Sequence, residues 1–129
     1  KKMVVCNENL GKDALTEYQI KRKFDFEKLS ICLYECKLHT GRTHQIRVHF
    51  NYVGVPLIGD FVYKKNINKD YLPTNIKEYI EKNFIIPKRQ ALHAVSIGFF
   101  HPYQKKTMYF ESKEPPEFKD LIILLEKYC

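Results

Sequence analysis

Hydrophobic and polar positions change rhythm several times along the chain. The opening Met3-Val4-Val5 run is strand-like and has no start methionine ahead of it, so the polypeptide is expected to be cut from a longer one. Asn7 to Lys12 is a turn by composition, Leu15 to Phe24 alternates as a strand with a charged outer face, and Leu29 to Leu38 returns as its hairpin partner. After Thr40-Gly41 the period becomes helical: Ile46, Phe50 and Val53 predict a helix over Thr43 to Val53 with these three toward the core. Thr43 is its expected cap, and Gly54 and Pro56 its stop. From Tyr63 to Lys88 the sequence turns polar and rich in Lys and Asn, which reads as a surface insertion at about 64–88. Asn75, Ile76, Glu78 and Ile80 predict a short capped helix inside it. Ala91 to Phe100 and Lys106 to Glu111 read as two further strands around a His101–Gln104 turn. Pro115-Pro116 then starts a helix with Phe118, Leu121, Ile122, Leu125 and Tyr128 in one apolar stripe. Strands outnumber helices and hairpins join neighbours, so the expected class is α+β, a largely antiparallel mixed sheet flanked by helices.

Composition narrows the partners. At 129 residues the chain fits one domain with a core of its own, and its longest apolar run, Leu121 to Leu125, is too short to cross a bilayer. Lys and Arg exceed Asp and Glu by seven, an excess that attracts polyanions, nucleic acid first; a lysine-rich exposed surface accounts for it equally well. Four cysteines are too few for a secreted disulfide scaffold, so a reducing intracellular setting is expected, with cytoplasm, nucleus and organelle all open. Cys32, Tyr34 and Cys36 project from one strand face about two pleats apart, which does not chelate one ion with His39 and His44 as a tight Cys-x-x-Cys knuckle would. No metal site is therefore expected. No glycine-rich phosphate loop follows a strand, which argues against nucleotide-cofactor enzymes.

The densest chemistry lies between Leu38 and Phe50, where two arginines, three histidines and a glutamine meet at a strand-to-helix junction. On a helix His44, Arg47 and Asn51 share one face beside the apolar one. Helix-start N–H groups together with Arg42 and Arg47 make an anion site, for a phosphate or for a carboxylate brought from elsewhere in the protein. A solvated polar helix face is the plainer alternative.

The run Leu38-His39-Thr40-Gly41-Arg42-Thr43-His44-Gln45-Ile46-Arg47-Val48-His49 resembles the downstream motif of RluA-like RNA pseudouridine synthases. The resemblance continues through Gly54-Val55-Pro56-Leu57-Ile58-Gly59-Asp60 and Tyr63, Arg89-Gln90-Ala91-Leu92-His93-Ala94, His101-Pro102 and Pro115-Pro116-Glu117-Phe118. Upstream, Gly11-Lys12, Ala14 and Thr16 also match, so it covers nearly the whole chain except the insertion. It implies that residues 1–129 form the C-terminal portion of a single pseudouridine synthase catalytic domain, acting on RNA (rRNA or tRNA) without a cofactor.

In that family one aspartate, in an upstream Arg-Leu-Asp motif, starts cleavage of the uridine glycosidic bond before the base turns and is rejoined through carbon. The aspartates here are Asp13, Asp25, Asp60, Asp70 and Asp120, none preceded by Arg-Leu, so this chain by itself is expected to be inactive. Asp60 reads as a turn residue that accepts local backbone hydrogen bonds. The resemblance makes Arg47 the assisting residue that pairs with the absent aspartate and keeps it ionised. It sets Leu38 and Ile46 around the substrate pocket, plain core being the other reading for each. Arg42 and His44 are expected to contact RNA or to hold their own turn, and Lys64, Lys65, Lys88, Arg89, Lys105 and Lys106 to reach phosphates. The alternatives are a non-catalytic RNA-binding module on the same scaffold and a protein-interaction domain using the same charge. A missing N-terminal half would expose a strand edge or core face, which self-association or an ordered partner chain would cover.

Overall fold

A computed structural model describes residues 2–6, 14–40, 43–63, 71–94, 96–101 and 106–128, with backbone alone for the first strand and the last two. The elements are β1 (Lys2–Cys6), β2 (Leu15–Asp25), β3 (Ser30–Leu38), α1 (Gln45–Tyr52), α2 (Thr74–Ile80, running on into a wider π-helical turn over Glu81–Ile85), β4 (Ser96–His101), β5 (Lys106–Glu111) and α3 (Pro116–Glu126). The expected α+β class is observed. The described strands divide between two antiparallel sheets, β1-β2-β3 and β4-β5.

One irregularity in the β2–β3 hairpin decides where the cores form. Thr16 pairs with Leu38 and Ile20 with Tyr34, but the register then steps so that Arg22 faces Leu33 and Phe24 faces Ile31. The extra residue is a β-bulge, which re-aims the side chains beyond it. Ahead of the bulge Tyr18 and Tyr34 point to the face that receives α1, and their rings meet Phe50 with centroids 5.4 and 4.8 Å away. Past it Phe24 enters a separate cluster with Ile76, Ile80 and Phe84 below and Leu121 and Leu125 of α3, all buried. A single hairpin thus serves two apolar clusters.

That second cluster corrects the reading of 64–88 as a surface insertion. Residues 64–70 lie outside the described residues, but the remainder supplies Ile76, Ile80 and Phe84, three of the most buried apolar side chains described. Their spacing of four residues puts them on one helical face, and the surrounding Lys and Asn occupy the solvent side. The helix starts from Pro73 without a side-chain cap, so Asn75 does not cap it; its Oδ1 instead accepts from the Tyr128 hydroxyl.

Helix α1 is two residues shorter at its start than expected, and Thr43 does not cap it. His44 holds the capping position in left-handed backbone at φ 52°, with no side-chain cap. The far end closes as expected: Gly54 at φ 88° lets its N–H reach the Asn51 carbonyl and the Val55 N–H reach that of Phe50. The buried set differs as well. Gln45, Arg47, His49 and Phe50 are buried, on more than one side of the helix, while Val53 is exposed and Ile46 half-buried. Three polar side chains are buried there because each finds a partner.

Candidate functional site

Arg47 is the centre of the site. Its side chain is 9% exposed and forms a two-pronged ion pair with the fully buried carboxylate of Asp60: Nε donates to Oδ2 and Nη2 to Oδ1, both at 2.8 Å. Asp60 is also the turn residue read from the sequence, since its Oδ1 accepts from the Val62 and Tyr63 N–H groups at 3.1 and 3.0 Å. Burial alone would raise the Asp60 pKa, but the Arg47 hydrogen bonds and the two backbone donors outweigh it and hold the carboxyl below its ordinary value. The same hydrogen bonds from the Asp60 side raise the Arg47 pKa further.

A glycine makes this turn possible. Gly59 lies at φ 80°, and a Cβ there would stand 2.2 Å from the Arg89 carbonyl oxygen and 2.9 Å from Phe84 Cβ. The Ala91 N–H donates to the Ile58 carbonyl at 2.8 Å, which ties the turn to the segment after α2. The α2 region therefore supports the site as well as the core.

A polar network fixes α1 from below. Thr40 Oγ1 accepts the Leu15 N–H and donates to Gln45 Oε1 at 2.7 Å. Gln45 Nε2 donates to the Leu15 carbonyl and to Thr16 Oγ1, both at 2.9 Å. Thr16 in turn lies 2.6 Å from His49 Nδ1. The imidazole tautomer decides which of the two donates, since the Thr16 oxygen has two acceptor sites and the Gln45 N–H fills only one. Burial pushes the His49 pKa below its ordinary value. Among the described residues, His49 Nε2 and Asn51 Oδ1 are buried without a hydrogen-bond partner.

The remaining sequence-derived candidates are dispersed. His44 is exposed, its Nδ1 3.3 Å from the Tyr63 hydroxyl and the two rings edge to face at 5.7 Å. Tyr63 also covers Arg47, whose guanidinium carbon is 5.2 Å from its ring centroid. Leu38 is 47% exposed, too open to be core within these residues. Lys88 is exposed, its ammonium over the Phe61 ring, and Arg89 pairs with Glu117 at 3.5 Å. Arg42, Lys64, Lys65 and Lys105 lie outside the described residues, and Lys106 is in β5, described by its backbone. The structure thus gathers His44, Arg47, Asp60 and Tyr63. Of these, the partnership of Asp60 and Tyr63 with Arg47 was missed: turn composition explained Asp60, and nothing in a 13-residue separation marks an ion pair.

Comparisons with known proteins point to one family. A family model described as RNA pseudouridylate synthase matches residues 2–52, the span from β1 through α1. The large-subunit ribosomal pseudouridine synthase D of Buchnera aphidicola (Schizaphis graminum strain) is 37% identical over 128 residues, 98% of this chain and 38% of that protein. An uncharacterized RNA pseudouridine synthase of Aquifex aeolicus is 40% identical over 119 residues, 92% of this chain and 34% of its own length. The synthase D of Zymomonas mobilis is 33% identical over 124 residues, 96% of this chain and 35% of that protein. The chain spans about a third of the length of these relatives. Its motif and these matches along nearly its whole length make the chain a member of the RNA pseudouridine synthase family.

Proposed function

We propose that this chain is the C-terminal portion of the catalytic domain of an enzyme that isomerises uridine to pseudouridine in RNA, with ribosomal RNA the first substrate to test. The observation that carries the reading is an arginine within the family motif, Arg47, clamped through Nε and Nη2, whose Nη1 has no bonding partner among the described residues. An arginine held along one edge presents the other to a second anion without reorganising. In this reading that anion is the carboxylate of the aspartate that begins the reaction, supplied from outside these residues. The guanidinium keeps it ionised and therefore ready to act.

No metal or cofactor takes part in this proposal. Ile46 and Leu38 border the base-binding slot, and the exposed face of Leu38 is covered by the base or by the rest of the domain. Arg42, His44, Lys64, Lys65, Lys88 and Arg89 hold the RNA backbone, an electrostatic contribution that weakens with salt. Arg89 leaves the chain next to the Asp60 turn, because its carbonyl packs against Gly59.

The test is a pseudouridine-specific chemical label applied to RNA incubated with the full-length protein, with its Arg47→Ala variant, and with the 129-residue chain alone. Conversion by the full-length protein, lost in an Arg47→Ala variant that is still folded at the assay temperature and absent with the chain alone, supports the reading. A full-length protein that binds RNA and converts no uridine replaces it with a non-catalytic RNA-binding module.

A further inference from the structure

We propose that Tyr63 is a positioning residue for Arg47, acting through its ring to aim the Nη1 edge of the guanidinium; this rests on the isomerase reading above. Three contacts converge on it. The ring lies over the guanidinium at 5.2 Å. The Tyr63 N–H donates to Asp60 Oδ1, the same oxygen that accepts from Arg47 Nη2, so one carboxylate sets the register of both ring and cation. The hydroxyl end lies 3.3 Å from Nδ1 of His44, the residue whose left-handed backbone begins α1.

A purely structural role explains this arrangement poorly. Tyr63 is half-buried and has no place in the apolar cluster around Phe24. What its ring does is cover a charged group that Asp60 already holds at one edge. Covering a guanidinium face removes water from it and limits its rotation, and both effects strengthen its hold on an incoming carboxylate. The ring supplies this effect and the hydroxyl only steadies the ring, so phenylalanine substitutes and an aliphatic residue does not.

The experiment uses the full-length protein with Tyr63→Phe and Tyr63→Leu. Single-turnover pseudouridine formation is measured together with RNA affinity, melting temperature and the Arg47 Nε–H resonance of arginine-labelled protein. Tyr63→Leu is expected to slow isomerisation about ten- to a hundredfold, the scale of a small misplacement of a reacting group. RNA affinity stays unchanged, and Tyr63→Phe keeps most of the rate. The ring-current shift of the Arg47 resonance persists in Tyr63→Phe and disappears in Tyr63→Leu. A Tyr63→Leu protein with wild-type rate, or equal losses in both variants, overturns the proposal. So does a resonance unmoved by Tyr63→Leu, which can be read even if that variant is too unstable to assay at the working temperature. If the unmodified protein makes no pseudouridine, the isomerase reading fails, while the resonance still decides whether Tyr63 positions Arg47.

Discussion

Arg47 and Asp60, 13 residues apart on a helix and a turn, share two parallel hydrogen bonds of 2.8 Å in a setting that leaves the carboxylate no solvent exposure. Removing one member of such a pair strands the other charge, which costs about 3–5 kcal/mol. Arg47→Ala should therefore lower the denaturation midpoint, and Arg47→Lys, which cannot make the planar two-pronged contact, should lower it by a smaller amount. Urea melts of the three proteins check the order.

The depressed Asp60 pKa gives the pair a pH signature. A carboxyl whose folded pKa lies below its ordinary value near 3.8 stabilises the fold fully above that value, and the contribution is lost as pH falls through the lower folded pKa. Asp60→Asn is expected to be less stable at neutral pH and to show a shallower loss of stability below pH about 4. Parallel acid limbs for the two proteins would show that Asp60 does not carry it.

His49 titrates in a different window. Its folded pKa is below the ordinary 6.5, so the unfolded chain binds the proton more readily; stability is full above 6.5 and declines as pH falls below it. Thr16→Val removes the hydroxyl that serves both His49 and Gln45 and should cost about 1–3 kcal/mol, the range for stranding a buried polar group. Thermal melts from pH 8 to 5, with and without His49→Gln, test whether the decline between them belongs to His49.

Gly59→Ala should be more damaging than an ordinary surface change. The new methyl meets the Arg89 carbonyl at 2.2 Å in backbone at φ 80°, so the turn must move and carry Asp60 with it. Strained left-handed backbone alone costs of order 1–3 kcal/mol. A melting temperature equal to wild type would mean that the turn relaxes freely.

Cys36 should be slow to alkylate in the folded protein. Burial, with a smaller contribution from the Glu35 charge, pushes its thiol up to about 11, so little thiolate exists at neutral pH. Iodoacetamide labelling followed by peptide mapping reads this directly, and rapid modification of Cys36 before unfolding counts against it.

Much of the local order is legible in the order of the residues. Alternation in Leu15–Asp25 and Ser30–Leu38 specified a hairpin, Gly54 and Pro56 stopped α1 where its closing bonds are found, and the run from Leu38 to His49 carried the family resemblance. These features depend on neighbours a few residues apart, which periodicity and turn chemistry register. Partners distant in the chain decided the rest. The bulge after Ile20 turned Phe24 to the opposite face from Tyr18, so the lysine-rich segment after Tyr63 was drawn into a core through Ile76, Ile80 and Phe84. Arg47, Gln45 and His49, polar by composition and solvated by any local rule, are buried because Asp60, Leu15 and Thr16 meet them in space. A polar group's burial depends on whether a partner satisfies it, and only the folded chain brings that partner near.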